Sequence, residues 1–147
     1  MNQAYFSPGP DCRVAITQAM ETAIDELLIC VFTISDDRLS DAIMAAHRNG
    51  LTVRVISDND KMYDRGSDVQ RLAEAGVNVR IDMSPEHMHH KFMILDGRTV
   101  MTGSYNWTRS AETRNEENLI SADDPMLAQA FTTEFERIWD ISEPAST

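Results

Sequence analysis

Leu27 to Ile34 (LLICVFTI) is a nearly continuous apolar run, and it constrains the fold more than any other stretch. It is far short of the roughly 20 residues that span a bilayer. It does not alternate, so both of its faces need cover. That is the pattern of a strand in a sheet with helices on each side. The flanking segments agree. Asp11 is placed to cap a helix from Cys12 to about Ile24, with Val14, Ile16, Ala19, Met20 and Ala23 at apolar positions. Ser35 or Asp36 caps a second helix, with Leu39, Ile43, Met44 and His47 on one side, which stops at Asn49-Gly50. Leu51 to Ile56 reads as the next strand, and strand–helix–strand predicts parallel pairing with a right-handed crossover. A third helix starts at Ser67 or Asp68 and ends at Ala75-Gly76, before a short strand at Val77 to Ile81. Asn118 to Ser121 forms another strand. Asp123 or Asp124 caps a last helix with Pro125 in its first turn. Leu127, Ala130, Phe131, Phe135, Ile138 and Trp139 supply that helix's core stripe.

Between these elements lies Met88 to Asn106, MHHKFMILDGRTVMTGSYN. Phe92 to Leu95 and Thr99 to Met101 are strands on either side of a turn at Asp96-Gly97-Arg98, a β-hairpin. A hairpin brings its two ends together, so His89, Lys91, Ser104 and Asn106 meet at one end of the sheet. His89 and Lys91 are two apart and share a strand face; His90 points the other way and is excluded. A neutral imidazole is a nucleophile toward phosphorus. Lys91 neutralises a non-bridging oxygen, and Ser104 and Asn106 hold oxygens by hydrogen bonds. The second ring nitrogen of His89 needs a carboxylate or carbonyl, and Glu116 and Glu117 are the nearest carboxylates beyond the hairpin. One imidazole cannot both attack and protonate the leaving oxygen in one step. The chain has one His-x-Lys unit, so a two-fold dimer with two copies of His89 across a shared cleft is the economical solution.

Other groupings are weaker. His87, His89 and His90 lack the matched Cys/His partners of a zinc site. Asp96, before Gly97, reads as a turn residue, and His47 as a packed one. Ser57 to Arg65 is a polar loop at a strand's end, where ligands often bind. Within and beyond it, Tyr63, Arg65, Arg109 and Arg114 read as solvated loop residues.

Composition narrows the partners. Net charge is −11, which argues against indiscriminate binding of nucleic acid. The acidity sits at the two ends: Lys61 to Arg114 holds 8 basic against 7 acidic residues, and the rest holds 5 against 17. The near-neutral centre leaves room for an anionic substrate. Two cysteines, Cys12 and Cys30, are too few for a disulfide framework. The first residues lack the basic and apolar segments of a signal peptide, so the expectation is a cytoplasmic protein unless a targeting segment has been removed.

His89-x-Lys91 with Asp96, followed by Gly103-Ser104-x-Asn106, resembles the HKD motif of the phospholipase D superfamily over nearly the whole chain. MHHKF, TGSYNWT, EEN and EFERIW are similar to its small single-motif members, both bacterial endonucleases and mitochondrial cardiolipin hydrolases. The resemblance implies an α/β fold with a mixed, largely parallel sheet flanked by helices on both faces. Residues 1–147 form one domain, with 1–10 an N-terminal lead-in and 141–147 a flexible tail. It implies a homodimer with the site on its axis. His89 is nucleophile in one subunit and acid in the other, Lys91, Ser104 and Asn106 bind phosphate, Glu117 orients His89, and Asp96 is structural. Neither a metal nor another cofactor is expected. The leading expectation is a metal-independent phosphodiesterase, an endonuclease on single-stranded nucleic acid acting through a phosphohistidine. The alternatives are hydrolysis of a diester lipid such as cardiolipin, with membrane lipid the less expected partner, and a non-catalytic phosphate-binding scaffold.

Overall fold

The apolar run becomes the central strand, β2 (Glu26–Val31). In the computed structural model, which describes residues 2–59 and 66–145, it lies parallel to β3 (Thr52–Asp58) and antiparallel to β5 (Lys91–Leu95). Its side chains alternate between two cores. Leu27, Ile29 and Val31 pack under α1 (Asp11–Thr22), α2 (Asp37–Arg48) and α3 (Val69–Glu74). Leu28 and Cys30 join Ile56, Phe92, Ile94 and Val100 beneath Ala128, Phe135, Ile138 and Trp139, which belong to the last helix, Pro125–Ile141. A short helix at Arg109–Thr113 precedes it in the chain, so these two are α4 and α5 in chain order. Burying each large apolar side chain contributes about 1.5–3 kcal/mol, and β2 draws on both layers at once.

β4 (Asn78–Asp82), β6 (Thr99–Gly103), β7 (Glu117–Asp123), β1 (Gln3–Ser7) and β8 (Glu143–Pro144) complete an eight-stranded sheet of order β1-β7-β6-β5-β2-β3-β4-β8. The sheet is mixed and covered on both faces, as expected, but it is not largely parallel. Only β2–β3 and β3–β4 pair in parallel; the other five ladders are antiparallel. Helical crossovers serve residues 26–82, whereas the hairpin and the returns to β7 and β1 run directly from strand to strand and reverse direction.

Local signals vary in their success. Asp36 accepts from the Arg38 N–H at 3.0 Å, and Asp124 from Met126 and Leu127 at 3.0 and 3.1 Å, so both cap their helices. Asp11 is instead the first residue of α1, whose cap position is Pro10. Ala130 is exposed and Ala128 is buried in its place. The lead-in segment contains β1, paired with β7. The tail forms β8 against β4, and the Ala145 N–H donates to the Val79 carbonyl at 3.0 Å. Pro144 is tolerated there because β8 is an edge strand. Of the polar loop, Ser57 and Asp58 end β3, while Tyr63 and Arg65 lie outside the described residues.

Asp96 fastens the hairpin turn to the sheet. It sits at φ 53°, a region Asp tolerates better than most residues. Its Oδ1 accepts from the N–H groups of Asp25 and Glu26 at 2.8 and 2.9 Å, and its Oδ2 from Ile24 at 3.1 Å. Burial alone would raise its pKa, but these backbone donors hold the carboxyl below its usual range.

Candidate active site

β2, β3 and β4 end where β5 and β7 begin and where β6 ends. This is the carboxyl end of the parallel strands, the side on which open α/β sheets bind ligands. The β2–β5 ladder extends past β2, because the Phe32 N–H donates to the His90 carbonyl at 2.9 Å. Strand alternation therefore operates through residues 89–91. His90 turns toward α5, with its Nε2 2.9 Å from Glu134. His89 and Lys91 share the other side, as their spacing predicts.

The Lys91 ammonium donates to the His89 carbonyl at 2.7 Å and to its Nδ1 at 2.8 Å. The ammonium also lies 3.4 Å from Nε2, and since an ammonium can only donate, the nearer Nδ1 is its acceptor on the ring. Burial, then the Lys91 charge, lowers the His89 pKa from its ordinary value. Both effects disfavour the charged ring and favour the nucleophilic, neutral one. Burial also lowers Lys91, against an opposing pull from Glu117.

Ser104 follows Gly103, where an added Cβ would lie 2.2 Å from the Asn118 carbonyl oxygen. Only glycine allows β6 and β7 to approach so closely at this point. The Ser104 hydroxyl donates to Glu117 Oε1 at 2.6 Å and accepts from the Asn118 N–H at 3.1 Å. The Asn106 Oδ1 accepts from the Thr33 N–H at 3.2 Å, which fixes the direction of its NH2 donor. Asn106 is placed by its neighbour: the Trp107 N–H donates to the Thr33 carbonyl, and the Trp107 carbonyl accepts from Ser35 and Asp36.

His89, Lys91, Ser104, Asn106 and Glu117 thus share one end of the sheet. Glu117, however, bonds to Ser104 and, at 3.1 Å, to the Asn115 amide. The Glu117–His89 hydrogen bond expected from the sequence is not formed in this state. Asp96 lies at the far end of the hairpin, and Arg109 and Arg114 are exposed. Among the described residues, no three His, Cys, Asp or Glu side chains are grouped to hold a metal, and no helix is long and apolar enough to cross a membrane.

Two neighbours of His89 were not singled out by sequence reasoning. Asp58, fully buried at the end of β3, accepts from the Met88 N–H at 2.5 Å and lies 3.8 Å from His87 Nδ1. Its place at the end of a parallel strand is a signal that could have found it. The Phe32 ring lies 4.7 Å from the His89 ring; within an apolar run, nothing in the sequence marks it. A groove of about 470 Å³ opens beside His89, lined also by Ser84, His87, His90, Arg137 and Ile141.

The fold and this cluster define a class, and a family model described as "Cardiolipin synthase, PLD-like domain" matches residues 16–139. The chain belongs to the phospholipase D-like family. A mitochondrial cardiolipin hydrolase of Chlamydomonas reinhardtii is 47% identical over 136 residues, 92% of this chain and 61% of that protein. One of Xenopus tropicalis is 48% identical over 120 residues, 82% of this chain and 57% of that protein. The chain therefore spans about three fifths of the length of these relatives. The crystal structure of Nuc from Salmonella typhimurium, a phospholipase D family member, superposes with a TM-score of 0.94 at 27% identity, covering 100% of this chain and 99% of Nuc.

Proposed function

We propose that the chain hydrolyses phosphodiesters through a phosphohistidine on His89, each chain supplying half of a reaction centre completed by a two-fold partner. The convergence of His89, whose charged form burial and Lys91 disfavour, with the half-buried Lys91 and the donors of Ser104 and Asn106 carries this reading. It also disfavours an idle scaffold, since the whole reactive set is intact.

Substrate binding exchanges partners within the site. A phosphate oxygen takes the Lys91 ammonium from Nδ1, and another takes the Ser104 hydroxyl from Glu117. The proton then resides on Nδ1, where Glu117 accepts it, and the Nε2 lone pair faces phosphorus. Nε2 attacks, the P–O bond breaks, and the partner subunit's His89, which takes up a proton from solvent as it faces the negative charge of the bound phosphate, protonates the leaving oxygen. That second imidazole, now neutral, takes a proton from water. The water oxygen bonds to phosphorus, the P–N bond breaks, and a phosphomonoester leaves.

The preferred substrate is a diester lipid of the cardiolipin kind, which reverses the order expected from the sequence. Relatives near half identity carry that name. Ile141, 60% exposed, gives the groove an apolar rim. Cleavage of single-stranded nucleic acid is the second reading, favoured by the full-length likeness to Nuc. Cardiolipin vesicles and labelled single-stranded DNA and RNA, each incubated in EDTA with wild type and His89→Ala, separate them. The account expects vesicle turnover that vanishes in His89→Ala. Oligonucleotide cleavage alone would restore the nuclease reading, and turnover surviving in His89→Ala would refute both.

A further inference from the structure

Phe32 follows the last residue of the central strand, and three groups of the site converge on its ring. The His89 ring centroid lies 4.7 Å away at a 48° tilt. His87 meets the ring edge-on at 5.3 Å, and the Lys91 ammonium stands 5.7 Å from its centroid. The backbone behind the ring is held at both ends. Its N–H donates to the His90 carbonyl, and its carbonyl accepts from the Ser57 hydroxyl at 3.0 Å. The next N–H, that of Thr33, secures Asn106. Residues 32–33 therefore touch the proposed nucleophile, the cation and the amide donor.

We infer that Phe32 is a positioning residue for the reaction: its ring is the fixed wall that sets the direction of the His89 imidazole and keeps the Lys91 ammonium beside it. The inference rests on the reading of His89 as nucleophile. Rotation of an imidazole about its terminal torsion is broad and soft, so an imidazole at a groove rim samples many directions of attack. A flat wall removes those that turn Nε2 from phosphorus, and misplacement by about 1 Å costs on the order of a hundredfold in rate. The same ring excludes water from one side of the imidazole, which favours the neutral form. The other groups acting on His89 are Lys91, His87 and His90, which also disfavour its charge, and Asp58, which favours it.

The test uses Phe32→Ala, Phe32→Leu and Phe32→Tyr in the full chain, with melting temperature and oligomeric state measured for each. Steady-state kinetics on bis(p-nitrophenyl) phosphate give kcat and KM, and NMR gives the His89 titration. In Phe32→Ala, kcat falls roughly 10- to 100-fold, KM stays within about twofold, and the titration moves up toward the ordinary value of about 6.5. In Phe32→Tyr, which keeps the flat face, kcat stays within about threefold of wild type. In Phe32→Leu the imidazole stays neutral but kcat remains low, because bulk without a flat face does not orient it. Unchanged kcat in Phe32→Ala, or equal losses in Phe32→Tyr and Phe32→Ala, would overturn the inference. Failure of the underlying reading shows separately, as turnover that survives His89→Ala.

Discussion

Asp96→Ala separates the structural and chemical parts of the HKD pattern. The substitution removes both acceptor oxygens that serve the N–H groups of Ile24, Asp25 and Glu26. Hydrogen bonds to a charged group contribute about 1.5–3 kcal/mol each when sheltered. Two of these three are solvent-exposed, so water replaces much of what is lost there, and the net loss is about 2 kcal/mol. The φ of 53° adds strain for alanine, about 1 kcal/mol. A total near 3 kcal/mol lowers the melting temperature of a domain this size by roughly 6–12 °C. The length of β5 carries Asp96 roughly 17 Å from Lys91 at about 3.4 Å per residue. The kcat of the folded fraction should therefore stay within about twofold of wild type. pH provides a second check. The folded pKa of Asp96 lies below its unfolded value of about 3.9, so its contribution is complete above pH 3.9 and disappears as pH falls through the folded pKa. Scanning calorimetry of both proteins at pH 7 and near pH 2 measures the difference, which should shrink in acid. A kcat loss above tenfold with an unchanged melting temperature would refute this reasoning and make Asp96 a participant in the chemistry.

Gly103→Ala places a Cβ against the Asn118 carbonyl, which must shift; a loss of about 1–3 kcal/mol in urea melts, with a weakened Ser104–Glu117 contact, is expected. His90→Ala breaks an exposed contact to Glu134, whose carboxyl the Arg137 hydrogen bond, assisted by His90, holds at about 2. Exposed pairs contribute less than about 1 kcal/mol, so stability and kcat should barely change, whereas His89→Ala lowers kcat by at least about 10³-fold. Glu117→Gln leaves the hydroxyl of Ser104 an acceptor but gives Nδ1 of His89 no anion; kcat should fall roughly tenfold or more while KM changes little. Parallel losses in kcat and kcat/KM, with an unchanged melt, check that result.

The elements legible in the sequence are those whose cause is local. The nearly continuous run Leu27–Ile34 points to a strand with two covered faces, and Leu28 and Ile29 of β2 do enter opposite cores. The two-residue spacing of His89 and Lys91, the Asp-Gly turn and the Asp36 and Asp124 caps are equally local. What escaped depends on distant chain. β1 and β8 exist because β7 and β4 present unpaired edges to them, and neither QAYFS nor EP carries a strand pattern of its own. The sheet's antiparallel majority follows from which strands become neighbours, and single-strand patterning does not encode that. Phe32 looks like any core residue until the hairpin folds across it, and Asp58 like any loop carboxylate until Met88 reaches it. The Lys91–Nδ1 and Ser104–Glu117 bonds arise from competition among neighbours for donors, which spacing alone does not order.

Subunit mixing tests the shared reaction centre most directly. Wild type and His89→Ala chains, equilibrated at equal concentration under exchange, form random dimers, of which about one quarter retain both imidazoles. The account predicts activity near that quarter, because a mixed dimer holds a nucleophile without an acid. Activity near one half, proportional to the wild-type chains present, would show that one chain suffices and would contradict it.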